Sequence, residues 1–308
     1  MKISIIGAAG YVGSNITSVL ALNGLGDEIV VVDPPKANIV THLAMDVGTA
    51  AFENDITVRA GEYDAIEGSG IVIIAAGAAH GVMLSRMDVL PKNLPIIRDI
   101  AAALKRYCPG AVVLTATNPV DPLNYAIYRL TGFDRRQIIG YSTNDSIRFQ
   151  MMVAEALGCK TRDVEGVVLG EHGESEVLLF SSVRIKGKYV EIDAATRDKI
   201  RARIPEILRH YEELKTGRTT GVTSAAGAKK VVNAIINNTG EVFSCSAVLD
   251  GEYGQRNISM GVPAALGKGG IKEIKELKLS SDEQSDLNKS IAILKNAMRQ
   301  VDDFIGAV

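Results

Sequence analysis

Short, continuously apolar runs separated by helical patterns constrain this chain more than any other feature. Ile3-Ser4-Ile5-Ile6, Ile29-Val30-Val31-Val32 and Ile71-Val72-Ile73-Ile74 lack polar alternation, the texture of strands buried on both faces of a parallel sheet. Together with 56–59, 111–116 and 137–139 they set up a strand–helix–strand rhythm through the first half, which predicts an α/β, doubly wound parallel sheet. Beyond Thr143 the strand spacing loosens and long helical patterns occupy 145–157, 194–214 and 224–236. The domain change is expected there, with a first domain over 1–143 and a second, α+β domain over 144–308. With 308 residues, 46% of them hydrophobic, the chain has material for two packed units. The stretch 280–305 opens with Ser280-x-x-Glu283 and repeats apolar residues at Leu287, Ile291, Leu294, Met298, Val301 and Ile305. That pattern predicts a capped, amphipathic terminal helix. No repeat, low-complexity tract or linker interrupts the chain, so the two parts should share a rigid interface.

Charge and composition exclude several function classes. Lys+Arg number 34 against 36 Asp+Glu, without a basic stripe, so nucleic acid is not an expected partner. The longest uncharged apolar stretch, 71–79, is half of a bilayer crossing, and the first residues lack a signal-peptide layout. A cytoplasmic protein without a membrane partner is expected. Cys108, Cys159 and Cys245 lie far apart with no Cys-x-x-Cys and no matching histidine cluster, so neither disulfides nor a metal site is expected. They read as buried small hydrophobes.

The segment Gly7-Ala8-Ala9-Gly10-Tyr11-Val12-Gly13 leaves the first strand and opens a helix, and Asp33 ends the second strand twenty residues beyond Gly13. This is the arrangement of a Rossmann-type dinucleotide site. Gly7 and Gly10 allow a tight turn and close approach to a pyrophosphate, Tyr11 and Val12 start the helix whose amino end attracts that charge, and Gly13 lets helix and strand pack. The Asp33 carboxylate accepts ribose hydroxyls and repels a 2′-phosphate, so NAD is the expected cofactor.

Three further segments carry polar residues where a purely structural role would be odd: Leu84-Ser85-Arg86, Thr117-Asn118-Pro119-Val120-Asp121, and Asn144-Asp145-Ser146-Ile147-Arg148 together with Gly170-Glu171-His172-Gly173. With these, the sequence resembles the lactate/malate dehydrogenase family nearly end to end. The later Leu249-Asp250-Gly251-Glu252-Tyr253-Gly254 and Gly261-Val262-Pro263 stretches are similar to that family's carboxyl-terminal segments. The resemblance implies an NAD-dependent oxidoreductase that interconverts a 2-hydroxy acid and its 2-keto acid, with the second domain as the catalytic one.

Oxidising a secondary alcohol by hydride transfer requires a base for the hydroxyl proton, and the reverse direction needs the same group as an acid. Histidine suits both, and a carboxylate on one ring nitrogen fixes the tautomer and favours the protonated ring. The resemblance assigns that pair to His172 and Asp145. Arg148, one helical turn after Asp145, can grip a substrate carboxylate with a two-pronged hydrogen bond. The resemblance implies a closing lid whose Arg86 polarises the reacting carbonyl. Asn118, held out of helix by Pro119, should face nicotinamide and substrate oxygens.

Substrate choice divides the clues. His80 stands in the lid where family malate enzymes usually carry arginine and lactate enzymes glutamine. At pH 7 it is about one-quarter protonated on an ordinary value of about 6.5, and a second substrate carboxylate would draw it further into the charged form. It also reads as a solvent-facing loop residue. The glycine spacing and Ser85-Arg86-Met87-Asp88 look like the malate branch, whereas Thr220 aligns loosely with a pocket threonine of the lactate branch. Malate/oxaloacetate is the narrow expectation, with lactate/pyruvate the alternative. Asn144 departs from the leucine usual before the dyad aspartate. A rival reading, an extended short-chain dehydrogenase or epimerase, rests on Tyr211-x-x-x-Lys215 but leaves Asn118, Asp145, Arg148 and His172 unexplained. A non-catalytic NAD-binding protein would make all four accidental. The resemblance implies a homodimer or homotetramer.

Overall fold

The computed structural model describes residues 1–78, 86–216 and 220–307. The elements follow in chain order as β1 (Lys2–Ile6), α1 (Tyr11–Leu22), β2 (Glu28–Val32), α2 (Ala37–Ala50), β3 (Thr57–Gly61), β4 (Ile71–Ile74), α3 (Leu90–Tyr107), β5 (Val112–Thr115), α4 (Val120–Thr131) and β6 (Ile138–Tyr141). The second half adds α5 (Thr143–Leu157), β7 (Val164–Leu169), β8 (Val177–Ile185), β9 (Lys188–Tyr189), α6 (Ala194–Glu213), α7 (Gly221–Asn237), β10 (Val242–Asp250), β11 (Arg256–Gly267), β12 (Gly270–Ile274) and α8 (Ser281–Gly306).

The six strands of the first half are parallel in the order β3-β2-β1-β4-β5-β6. Except in the edge strand β3, which is only partly buried, their apolar runs are buried, with Ile5 of β1 opposite both Val31 and Ile73. The chain builds outward in one direction from β1 and in the other from β4, so a topological switch lies between these neighbours, where sheets of this type bind ligands at the carboxyl ends of their strands.

The sheet does not stop where the sequence patterns change. β10 pairs antiparallel with β6, Ser246 opposite Gly140, and β11 and β12 continue it to nine strands. A separate three-stranded sheet, β7-β8-β9, packs with α5 and α6 around Phe149 and Phe180, whose rings meet edge to face at 5.1 Å. The strands of the second half were not apparent in the sequence. β10 reads VFSCSAVLD and is buried except at its ends, so its interior serines break the apolar run while hydrogen-bonding inside the protein. The terminal helix is as expected. Ser280 and Glu283 form a reciprocal capping box, and Leu287, Ile291, Leu294, Met298 and Val301 face the core. Cys108 and Cys245 are buried and Cys159 half-buried; burial pushes the Cys245 thiol up to about 12.

Candidate active site

Because β1, β2, β4, β5 and β6 are parallel, the residues after each one gather along a single sheet edge. Gly7 leaves β1 at φ +86°, and a Cβ there would sit 2.3 Å from the Ala76 nitrogen beyond β4. A Cβ on Gly13 would lie 2.4 Å from the Gly7 carbonyl oxygen. Both positions therefore demand glycine, and the turn lies on the switch point. Gly10 caps α1 without a side chain, and the first turn carries no acidic residue, which leaves its N–H groups suited to an anion. Val12 packs on the core from this helix and Tyr11 is partly exposed. Asp33, half-buried, directly follows β2. These residues fit a dinucleotide: a backbone cradle for pyrophosphate and a carboxylate at the ribose position.

The segments that follow β4 and β5 on this edge are tied together by hydrogen bonds. The Thr117 hydroxyl donates to the Ala76 carbonyl at 2.8 Å. Asn93 of α3 accepts from the Ala78 N–H at 2.7 Å and donates to the Asn118 carbonyl at 2.7 Å. The Asn118 side-chain oxygen is buried with no partner among the described residues, a cost that a bound ligand's donor would remove.

Asp145 and Arg148 lie one turn apart on α5, and His172 follows β7. The three meet. His172 Nδ1 lies 2.5 Å from Asp145 Oδ2, and Arg148 Nη1 lies 3.1 Å from Asp145 Oδ1. The Asp145 and His172 side chains are less than a tenth exposed and that of Arg148 is 12% exposed. One carboxylate thus bridges an imidazole and a guanidinium out of bulk water. The Asp145–Arg148 pair was not foreseen; it uses one of the five guanidinium donors. The neighbouring Asn144 turns elsewhere. It accepts from the Tyr141 hydroxyl at 2.7 Å and donates to the Ser224 hydroxyl of α7 at 3.1 Å, so its departure from leucine leaves the Asp145 contacts intact.

Thr220 is the N-cap of α7, without a capping hydrogen bond from its side chain. Gly221 beside it packs so close to the Tyr11 ring that a Cβ would lie 2.7 Å away, which puts the start of α7 against the glycine turn. The backbone of Arg86 opens a short 3-10 turn before α3; its side chain and the whole of His80 lie outside the described residues. The rival tyrosine–lysine spacing does not span one helix, since α6 ends at Glu213 and Lys215 has φ +48°. His42 and His210, on α2 and α6, are exposed.

Asp121 was passed over as a site residue. It is fully buried in the first turn of α4, where its Oδ2 accepts the His172 main-chain N–H at 2.7 Å and its Oδ1 the Ser246 hydroxyl at 2.5 Å. Burial pushes its carboxyl up to about 7, against these two hydrogen bonds, which pull it down, and with Glu171 and Asp145 adding to the rise. The signal was present in the sequence: Asp121 and Asn124 are the polar interruptions of an otherwise apolar helix start.

A dinucleotide cradle at the switch point and a buried imidazole–carboxylate–guanidinium cluster after the sixth strand are the two halves of a pyridine-nucleotide-dependent dehydrogenase. Residues 1–140 match the family described as lactate/malate dehydrogenase, NAD binding domain, and residues 143–305 the lactate/malate dehydrogenase, alpha/beta C-terminal domain. The chain belongs to the lactate/malate dehydrogenase family and is an NAD-dependent oxidoreductase. It is 38% identical to a malate dehydrogenase of Natronomonas pharaonis over 93% of this chain and 94% of that one. It is 35% identical to L-lactate dehydrogenase 1 of Clostridium acetobutylicum over 97% and 98%. Among solved structures, Cryptosporidium parvum malate dehydrogenase superposes with a TM-score of 0.90 at 31% identity, covering 98% of this chain and 99% of that one. The lactate dehydrogenase of the same organism, complexed with lactic acid and nicotinamide adenine dinucleotide, gives 0.91 at 29% identity, covering 98% of both.

Proposed function

We propose that this enzyme interconverts malate and oxaloacetate, with His172 as the acid/base group. The observation that carries the reading is the Asp145 carboxylate bonded at once to His172 Nδ1 and Arg148 Nη1. With Nδ1 engaged, the other ring nitrogen of His172 exchanges a proton with the substrate oxygen. Asp145 orients the ring and stabilises its charged form. Arg148 takes the substrate carboxylate with its remaining donors, and Asn118 turns its unpartnered amide oxygen to the bound ligands. Arg86 closes over the carbonyl and stabilises charge developing on its oxygen. Gly7, Gly10 and Gly13, with Tyr11 and Val12, hold the pyrophosphate, and Asp33 the adenosine ribose. The nicotinamide cofactor held there would supply the hydride acceptor for oxidation and the hydride donor for reduction.

The cofactor half is taken as 1–143 and the substrate half as 144–308. Malate over lactate rests on the glycine spacing and the Ser85-Arg86-Met87-Asp88 run, with His80 as the cation for a second carboxylate. Lactate/pyruvate is the second reading, favoured by Thr220 at the start of α7. Work in the cytoplasm is consistent with described helices none of which is long and apolar enough to cross a membrane. A homodimer or homotetramer is supported by Ile39, Met45 and Phe52, large apolar residues exposed on and just after α2. The test is NADH oxidation followed spectrophotometrically with oxaloacetate, pyruvate and bulkier 2-keto acids, then repeated with NADPH. Oxaloacetate is expected to give the highest kcat/KM; a higher value for pyruvate would transfer the assignment to the lactate branch.

A further inference from the structure

Three polar side chains between α5 and α7 form a chain that ends in an unused proton. The Tyr141 hydroxyl, at the carboxyl end of β6, donates to the Asn144 side-chain oxygen at 2.7 Å, and the Asn144 amide donates to the Ser224 hydroxyl of α7 at 3.1 Å. Tyr141 fills the notch of Gly227, where a Cβ would lie 1.9 Å from its hydroxyl, so its proton goes to Asn144 and has no room to turn elsewhere. That fixes the amide with its nitrogen toward Ser224, whose oxygen is thereby an acceptor. A serine hydroxyl also carries one proton of its own. No described residue accepts it, and Ser224 is only 8% exposed, which leaves little of it to bulk water. A buried donor without a partner is costly, and a ligand that supplies an acceptor removes the cost.

The helices that carry this donor settle where it stands. α7 runs alongside α1: Gly221 packs on the Tyr11 ring at its start, and Lys229 Nζ reaches Asn23 Oδ1, just past the end of α1, at 2.5 Å. The first turn of α7 is held at the glycine turn, and Ser224, whose N–H bonds the Thr220 carbonyl at 3.0 Å, closes that turn. From the other side, Asn144 directly precedes Asp145, the partner of His172. Ser224 therefore stands between the pyrophosphate cradle and the imidazole. The sheet gives the same place to the nicotinamide. With the adenosine ribose at Asp33 after β2 and the pyrophosphate over the turn between β1 and β4, the rest of a dinucleotide extends toward β5 and β6, each about 4.8 Å further along the edge.

A nicotinamide carboxamide carries an N–H pair and a carbonyl oxygen, and the site has one spare group for each: the unpartnered Asn118 oxygen after β5 and the unused Ser224 proton. The substrate's carboxylate and carbonyl oxygens find their donors in Arg148, Arg86 and His172, which leaves the cofactor as the ligand for Ser224. We propose that Ser224 is a cofactor-binding residue, donating its hydroxyl proton to the nicotinamide carboxamide oxygen while Asn144 and Tyr141 hold the hydroxyl in that orientation. The proposal rests on the placement of the nicotinamide beside His172. A grip on the carboxamide fixes the rotation of the ring, and with it the face turned to the substrate.

The test is isothermal titration calorimetry of wild type, Ser224→Ala and Ser224→Thr with three ligands: NADH, its thionicotinamide analogue, whose sulfur is a weaker acceptor, and ADP-ribose, which ends before the nicotinamide. A neutral hydrogen bond of ordinary strength predicts that Ser224→Ala binds NADH about fivefold more weakly than wild type does. The same variant should bind the thio analogue within about twofold of wild type and ADP-ribose unchanged. Ser224→Thr, which keeps a hydroxyl, should bind NADH as wild type does. Should Ser224→Ala not fold, Ser224→Cys, a weak donor in place of a strong one, is measured instead and should show the same contrast between NADH and the thio analogue. If wild type reduces no 2-keto acid, the functional reading fails while that contrast still decides this proposal. Unchanged NADH affinity in Ser224→Ala, equal losses for NADH and the thio analogue, or a raised KM for the keto acid with NADH binding unaltered overturns it.

Discussion

Asn144 offers a quantitative test of how the substrate half is held together. Its carboxamide sits between the Tyr141 hydroxyl and the Ser224 hydroxyl, and all three residues are buried. Burial, with Cys245 and Asp145 adding to it, pushes the Tyr141 phenol well above its ordinary value, so it stays a donor at every working pH. The ring also fills the notch of Gly227 on α7, where a Cβ would lie 1.9 Å from the hydroxyl, and the phenol has no room to turn away. Asn144→Leu removes its acceptor. An orphaned buried donor costs about 1–3 kcal/mol and each of the two lost hydrogen bonds a further 1 kcal/mol or so, which predicts about 3–5 kcal/mol in all. Tyr141→Phe alone leaves the Asn144 oxygen orphaned and is expected to cost about 1–3 kcal/mol. The double variant, apolar on both sides, should cost less than Asn144→Leu alone. The assay is urea unfolding of the four proteins as a double-mutant cycle. A single-variant cost below about 0.5 kcal/mol, or a double-variant cost equal to the sum of the singles, would refute the network.

Three further outcomes follow from the site. Asp33→Ser removes the charge that opposes a 2′-phosphate, so the ratio of kcat/KM with NADH to that with NADPH should fall by about tenfold or more, worth roughly 1.4 kcal/mol; an unchanged ratio excludes Asp33 from the ribose site. Gly13→Ala sets a Cβ 2.4 Å from the Gly7 oxygen and 2.8 Å from the Ala8 Cα, both backbone atoms, so α1 must shift; we expect about 1–3 kcal/mol of lost stability and weaker NADH binding by fluorescence titration. Arg148→Lys replaces a fork by a point charge and should mainly raise KM for the keto acid, by about tenfold, and an unaffected KM would count against the carboxylate anchor.

Much of this was legible in the sequence, for physical reasons that vary by element. β1, β2, β4, β5 and β6 could be read because strands buried on both faces must be apolar throughout, and the glycine turn because a Cβ at Gly7 or Gly13 would lie 2.3–2.4 Å from backbone atoms. The i, i+3 spacing of Asp145 and Arg148 put both on one side of α5, and the structure adds that they bond. β10 and β11 were hidden because their interiors carry serines that pair with Asp121, Asn124 and each other, partners more than a hundred residues away in the case of β10 and α4. Asp121 was visible as a polar break in an apolar helix start, but its partners were not, because they come from a backbone N–H and a serine on other elements. Nor could spacing along the chain reveal that the main sheet runs on past residue 143.

The central claim is that the His172 imidazole carries the proton. Its direct test is the kcat of His172→Asn in keto-acid reduction, measured beside the NADH dissociation constant from fluorescence quenching. Turnover should fall by at least about a hundredfold, the lower range of what a positioned acid/base group supplies, with NADH binding within twofold of wild type. Activity within tenfold of wild type would contradict it.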